Sequence, residues 1–274
     1  MKTEIITSQS RSTFADIMRA RYLTFQFAKR DFTVRYKNSY LGYIWAVANP
    51  LSQSLLYIVV FGMLARVQAP DYPTSYSVVL LLGFLVWTLF NQATEQCSNV
   101  LTGNMHLLKK VYFPRINLCI ASIATSLVDF CIALVVTLIL MLIIGFENVG
   151  ISFKLLLLPI VVVGVLLIAL SIGSITAILK IKYQDFKHVM PIVFQALFFM
   201  SPVVYTQALI PERFLVYYKL NPMYGFISTF RWIFIDGAPI ELVYLVYSLI
   251  FSIILFIITM RYFSGQERKI VDSE

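Results

Sequence analysis

Six apolar runs recur along this chain, at about residues 41–65, 77–97, 117–145, 155–179, 191–206 and 240–262. Most approach the roughly 20 residues that a helix needs to cross a bilayer. Stretches such as Ala133 to Ile144 and Leu155 to Leu170 are far longer than the core strand of a soluble domain. Composition agrees, because 59% of residues are hydrophobic and only 13% are charged, whereas soluble domains carry roughly a quarter charged residues. The expected fold class is therefore an all-α membrane protein with six transmembrane helices.

Charge gives these spans a direction. Of the 22 lysines and arginines, 17 fall in the N-terminal segment, in the loops around residues 109–115 and 180–187, and after residue 260. The opposite face keeps Arg66, Lys154, Arg213, Lys219 and Arg231. Positive charge accumulates on the cytoplasmic side, so both termini are expected there. The net charge of +8 is then topological and implies no nucleic-acid partner. No cleavable signal is apparent, since about forty polar and charged residues precede the first long apolar run.

Two segments do not fit a simple span. Phe14, Met18, Tyr22, Phe25, Ala28, Phe32 and Tyr36 recur in steps of three and four among eight basic residues. That pattern predicts an N-terminal amphipathic interfacial helix lying in the headgroup layer. Residues 207–237 are apolar but broken by Pro211, Asn221-Pro222, Gly225 and Gly237. Two half-helices that dip in and return would satisfy this, forming a re-entrant external segment before the last helix.

Much chemistry is missing. There is no GxxxxGK[ST] and no loop able to house a nucleotide-binding fold, so any ATP and its magnesium must be bound by another chain, and no cofactor is expected on this one. His106 and His188 sit in separate loops, and Cys97, Cys119 and Cys131 form no CxxC pair, so neither a metal site nor a disulfide framework is expected. No catalytic residues are assigned, and the chain reads as a non-enzyme. Asp129 is the one carboxylate in mid-span; it serves either as a hydrogen-bonding group between helices or as a proton-coupling site.

Two dense motifs carry a family likeness. The first runs from Lys29-Arg30-Asp31-Phe32-Thr33-Val34-Arg35-Tyr36-Lys37 through Ser39, Leu41-Gly42 and Trp45 to Pro50-Leu51. The second is Leu107-Leu108-Lys109-Lys110-Val111-Tyr112-Phe113-Pro114-Arg115, and a third, looser agreement covers Asn221-Pro222-Met223, Gly225 and Phe230-Arg231-Trp232. Together they resemble the transmembrane (permease) subunits of type-2 ABC exporters for bacterial polysaccharide, the O-antigen, capsule and teichoic acid group, and they span the start, middle and end of the chain. Relatives often carry an acid after the arginine of the second motif, where this chain has Ile116.

The resemblance implies a half-transporter in the bacterial inner (plasma) membrane, which pairs with a second copy of itself and two P-loop ATPase subunits to move lipid-linked polysaccharide. It divides the chain into a cytoplasmic interfacial region (1–40), a permease domain (41–265) with a coupling loop at 99–116 and the re-entrant segment at 207–237, and a cytoplasmic tail (266–274). By position it makes Asn104, His106, Leu108, Lys109, Lys110, Tyr112 and Arg115 the element that docks the ATPase. Arg30, Asp31, Arg35, Tyr36 and Trp45 become the interfacial motif, and Pro211, Asn221, Pro222 and Arg231 an external gate. A permease for drugs or lipids is the alternative within the same superfamily.

Polar and aromatic side chains also recur at helical spacing within the spans. Trp45, Asn49, Gln53 and Tyr57 form one stripe, and Phe84, Trp87, Asn91, Glu95 and Ser98 a second. Phe194, Phe198, Ser201 and Tyr205 form a third. Amides are costly in hydrocarbon, so the stripes must face protein or water. Lining a polymer channel and holding helices together both satisfy that requirement.

Overall fold

The computed structural model describes residues 18–37, 44–64, 67–108, 113–144, 148–150 and 152–266. Helix α1 (Arg21–Lys37) is followed by α2 (Ile44–Tyr57), whose path continues as the π-helical Ile58–Leu64. Then come α3 (Tyr76–Gly103), the single turn α4 (Met105–Leu108) and α5 (Ile116–Ile144). A 3-10 turn (Phe153–Leu157) leads into α6 (Leu158–Lys182), and α7 (Phe186–Met200) follows closely. Two short helices, α8 (Glu212–Lys219) and α9 (Pro222–Phe234), precede the last, α10 (Leu242–Gln266).

Four helices, α3, α5, α6 with its leading turn, and α10, are long and apolar enough to cross a membrane; Leu51–Phe61 and α7 are shorter apolar helices. Their burial differs sharply. In its most apolar stretch α3 is 72% buried, against 22% for α10, so α3 is the central post and α10 the most exposed of these four. Lipid supplies no hydrophobic drive between helices, and close packing must hold them. Gly225 of α9 shows this contact: a Cβ there would collide with the Tyr244 carbonyl and the Ser248 hydroxyl of α10.

Two cores stack along α3. The larger joins its first half to Val165, Ile168 and Ala169 of α6 and to Phe226, Phe230 and Phe234 of α9. The smaller surrounds Cys97, Leu101, Phe113, Cys119 and Phe263, with Phe27 of α1 packed against it. Phe27 lies 5.4 Å from Phe113, ring to ring. Of the residues expected on one apolar face, Met18, Tyr22 and Phe25 are exposed, whereas Ala28 and Phe32 are half-buried. At the far end, residues 148–150 are stitched to the exit of α9 by Gly150 N–H to the Phe234 carbonyl (3.1 Å) and Asp236 N–H to the Asn148 carbonyl (2.8 Å).

Candidate functional site

Helical spacing places Phe84, Trp87, Thr88, Asn91, Glu95 and Ser98 of α3 along one flank. They face Gln53 and Tyr57 of α2 and Phe194, Gln195 and Phe198 of α7 across a groove of about 600 Å3. Members of all three sequence stripes meet here. Phe198 is the hub, 5.1 Å from Tyr57, 6.0 Å from Phe84 and 5.5 Å from Trp87 between ring centroids. These tilted and edge-on arrangements are the favoured ones for aromatic pairs.

The third stripe stops short of its expected length. Ser201 is extended, with ψ 155, where α7 ends, because the proline that follows it disfavours helix in the preceding residue. Ser201 and Tyr205 therefore leave the groove. The Ser201 hydroxyl meets Asn221 Nδ2 at 3.1 Å, and the Tyr205 carbonyl accepts from the Tyr218 hydroxyl at 2.6 Å. Trp45, at the start of the first stripe, is exposed and does not line the groove.

One end of the groove is charged: Glu95 belongs to the second stripe, whereas the two lysines beside it lie outside the stripes. Lys180 of α6 is buried, and its ammonium donates to Ser98 Oγ (2.7 Å) and Asn99 Oδ1 (2.8 Å). Lys187 and Glu95 share this end. In the sequence Lys180 reads only as one more loop cation. Its position after a long apolar run, one turn beyond Thr176, was the available sign that it belongs to the helix.

The α1 end of the bundle carries the interfacial motif. Arg30 donates to Asp31 Oδ1 (2.9 and 2.7 Å) and to Asn104 Oδ1 (2.9 Å). Asn104 in turn donates from Nδ2 to the Val100 carbonyl at 2.8 Å and caps α3. The helix α1 is thus fastened to the point where α3 gives way to the short α4. His106 is exposed and Arg115 is buried. Lys109, Lys110 and Tyr112 lie outside the described residues, as do the side chains of Arg35, Tyr36, Asn49 and Leu108.

At the opposite end α8 and α9 meet at Asn221, whose side chain accepts from Met223 N–H at 2.9 Å, with Pro222 opening α9. Pro211 precedes α8 and is exposed. Arg231 is 2% exposed. Its guanidinium donates to the carbonyls of Val79 and Val203, both at 2.9 Å, and lies over the Tyr72 ring. The Tyr224 hydroxyl sits 2.9 Å from Gln207 Oε1 and 3.2 Å from Glu241 Oε1. Burial first, and then the Glu241 carboxylate, push that hydroxyl well above its ordinary pKa, so it remains a donor.

Asp129, in mid-span, is buried against α3 beside Thr88, Gln92 and Ser126 rather than turned to lipid. Among the described residues no group of three or more His, Cys, Asp or Glu could hold a metal ion.

Residues 22–235 match the family model described as ABC-2 type transporter. The chain belongs to the ABC-2 type transporter family. Its ABC-2 relatives include the O-antigen export system permease protein RfbA of Klebsiella pneumoniae, 26% identical over 76% of this chain and 78% of that protein. RfbA of Myxococcus xanthus is 26% identical over 81% and 83% of the two chains. The polysialic acid transport protein KpsM of Escherichia coli is 26% identical over 89% and 93%. The likeness to ABC-2 permeases therefore takes in the α1 motif, the groove and the two short helices alike.

Proposed function

We propose that this ABC-2 protein is the channel-forming subunit of an ATP-driven exporter that moves lipid-linked polysaccharide of the O-antigen, capsule or teichoic acid type across the bacterial inner membrane. The observation that carries this reading is the groove, where aromatic faces from α2, α3 and α7 alternate with Gln53, Asn91 and Gln195. Ring faces let sugar rings slide past, while amides exchange hydrogen bonds with hydroxyls. The relatives named for O-antigen and polysialic acid transport support the same cargo class.

In this reading the chain crosses the membrane six times. The fourteen residues of α2 and the seven of its π-helical continuation together approach the roughly 20 required, and α7 is extended by the segment after it. Both termini are cytoplasmic, as the charge distribution supports. A second copy faces the open side of the groove, and two P-loop ATPase subunits dock on the turn α4 and the residues after it. Helices α8 and α9 form the external gate.

Cysteines placed at Gln53 and Asn91 test the groove directly. Reaction with water-soluble thiol reagents is expected in the assembled exporter, in at least one of the resting and ATP-bound states. Protection in both states would overturn the channel reading. Copurification of a P-loop ATPase stimulated by lipid-linked glycan is the companion expectation; stimulation by lipid or drug instead would favour the other branch of the superfamily.

A further inference from the structure

Two polar spaces outside the groove differ in whether their walls are satisfied. The larger, a polar cavity beside α1, α3 and α5, is lined by side chains that already have partners, as Asp31 and Asn104 have in Arg30 and Gln96 has in Thr125. That wall is complete without a ligand. The smaller lies at the opposite end of the bundle, where Thr206, Tyr218, Ser228 and Arg231 line a space of about 10 Å3. This is about the room that a single water molecule needs.

Thr206 is the residue that sets the small cavity apart. It is 2% exposed, yet its hydroxyl has no hydrogen-bond partner, a costly arrangement for a buried polar group. Its place in the chain sharpens the point. Thr206 precedes the 3-10 turn Gln207–Leu209, a position from which a threonine hydroxyl ordinarily accepts a backbone N–H two or three residues on. Both of those donors are engaged elsewhere. Ala208 N–H goes to Asp71 Oδ2 at 3.0 Å, and Leu209 N–H to the Thr206 carbonyl at 3.1 Å. Asp71, from a distant segment, has taken over the cap and left the threonine hydroxyl to the cavity.

The rest of the wall has bonding capacity to spare. Arg231 gives two of its five N–H donors to Val79 and Val203. The Tyr218 hydroxyl donates to the Tyr205 carbonyl and the Ser228 hydroxyl to the Tyr224 carbonyl, so both oxygens keep lone pairs that can accept. A sugar or a phosphate is too large for the space. Arg231 and Glu241 both line it, so an ion of either sign meets a like charge. Water is neutral, gives two hydrogen bonds and takes others, and is held by roughly two to four polar partners.

We propose that one water molecule is bound here, bridging the Thr206 hydroxyl to Arg231, Tyr218 and Ser228. Its partners come from the segment after α7, from α8 and from α9, so the water is a structural link among the three. The site is separate from the groove and does not depend on what the exporter carries.

Radiolytic hydroxyl-radical labelling of the intact permease complex tests the site, because radicals formed from a bound water modify the side chains around it despite their burial. Corrected for the intrinsic reactivity of each residue type, Tyr218 and Tyr224 are expected to label faster than Phe226 and Phe230 of the apolar core. Thr206→Val should slow labelling at both tyrosines, and Thr206→Ser, which keeps the hydroxyl, should label as wild type. Tyrosines that label no faster than the phenylalanines, or that are indifferent to Thr206→Val, would overturn the proposal. The wild-type comparison stands even if Thr206→Val fails to assemble. Melting temperature gives a second reading with opposite signs. Loss of a hydroxyl bonded to water lowers it, whereas loss of a dry, unpartnered hydroxyl raises it, so a more stable Thr206→Val complex would also overturn the site. A melting temperature that falls when chloride is exchanged for gluconate in wild type, but not in Thr206→Val, would place a halide where we place water and overturn the proposal as well.

Discussion

Arg231 shows how much one side chain can hold. Its two carbonyl partners come from α3 and from the segment after α7, so one guanidinium ties α9 to both. Arg231→Met removes both of these charge-assisted bonds, each worth about 1.5–3 kcal/mol, and should lower the melting temperature of the purified complex. Gly83→Ala should act on the same bonds, because its Cβ would lie 2.5 Å from Arg231 Nη2. The double variant is expected to be little worse than Arg231→Met alone, as for residues sharing one interaction. A fully additive loss in a thermal shift measurement would deny the link. Asp129 is a contrasting case. Its burial against α3 favours a hydrogen-bonding role, so Asp129→Asn should keep export and its pH profile near wild type; abolished transport with ATPase activity intact would instead indicate proton coupling.

At the scale of elements, α3 is decisive because it presents a different surface to each neighbour. One flank builds the groove, another the polar cavity, and the rest enters both cores. Phe198 closes α7 onto it. Truncation in Phe198→Ala removes ring contacts with Tyr57, Phe84, Trp87 and Phe199, each worth about 0.5–1.5 kcal/mol. The expected outcome is a less stable complex whose liposomes leak small cations, while Phe198→Leu should leak far less. The clamp on α1 is testable by a mutant cycle. Arg30→Ala and Asn104→Ala should each slow glycan-stimulated ATP hydrolysis, with a coupling of about 0.5–1.5 kcal/mol because they remove one hydrogen bond.

For the whole molecule, the open side of the groove calls for another surface. Leu55, Leu56 and Met63 of α2 and its continuation, and Ile192 and Met200 of α7, are exposed apolar side chains on the helices that flank the groove. Single cysteines at Leu56 and Ile192 are expected to give disulfide-linked dimers on mild oxidation, whereas Val243, exposed on the outer helix α10, should not. Dimers at Val243 alone would place the second copy elsewhere and leave the groove open to lipid.

The sequence alone determined the apolar runs, since a stretch near bilayer length has few other folds available, and the six runs lie close to the apolar helices of the structure. It also marked the breaks at Pro211 and Pro222, because proline ends helices by local geometry, and its three motifs together pointed to the family. What only the tertiary structure decided is which side chains meet. Spacing put Gln53, Asn91 and Phe198 on helical faces but could not bring three helices to one groove. It carried the third stripe on to Ser201 and Tyr205, beyond the point where Pro202 stops the helix. It read Lys180 only as a marker of sidedness, and Arg231 as such a marker and a member of the external gate, whereas packing buries both and gives each its partners from distant segments. Local rules act over a turn or two, while these contacts span 82 and 152 residues of chain.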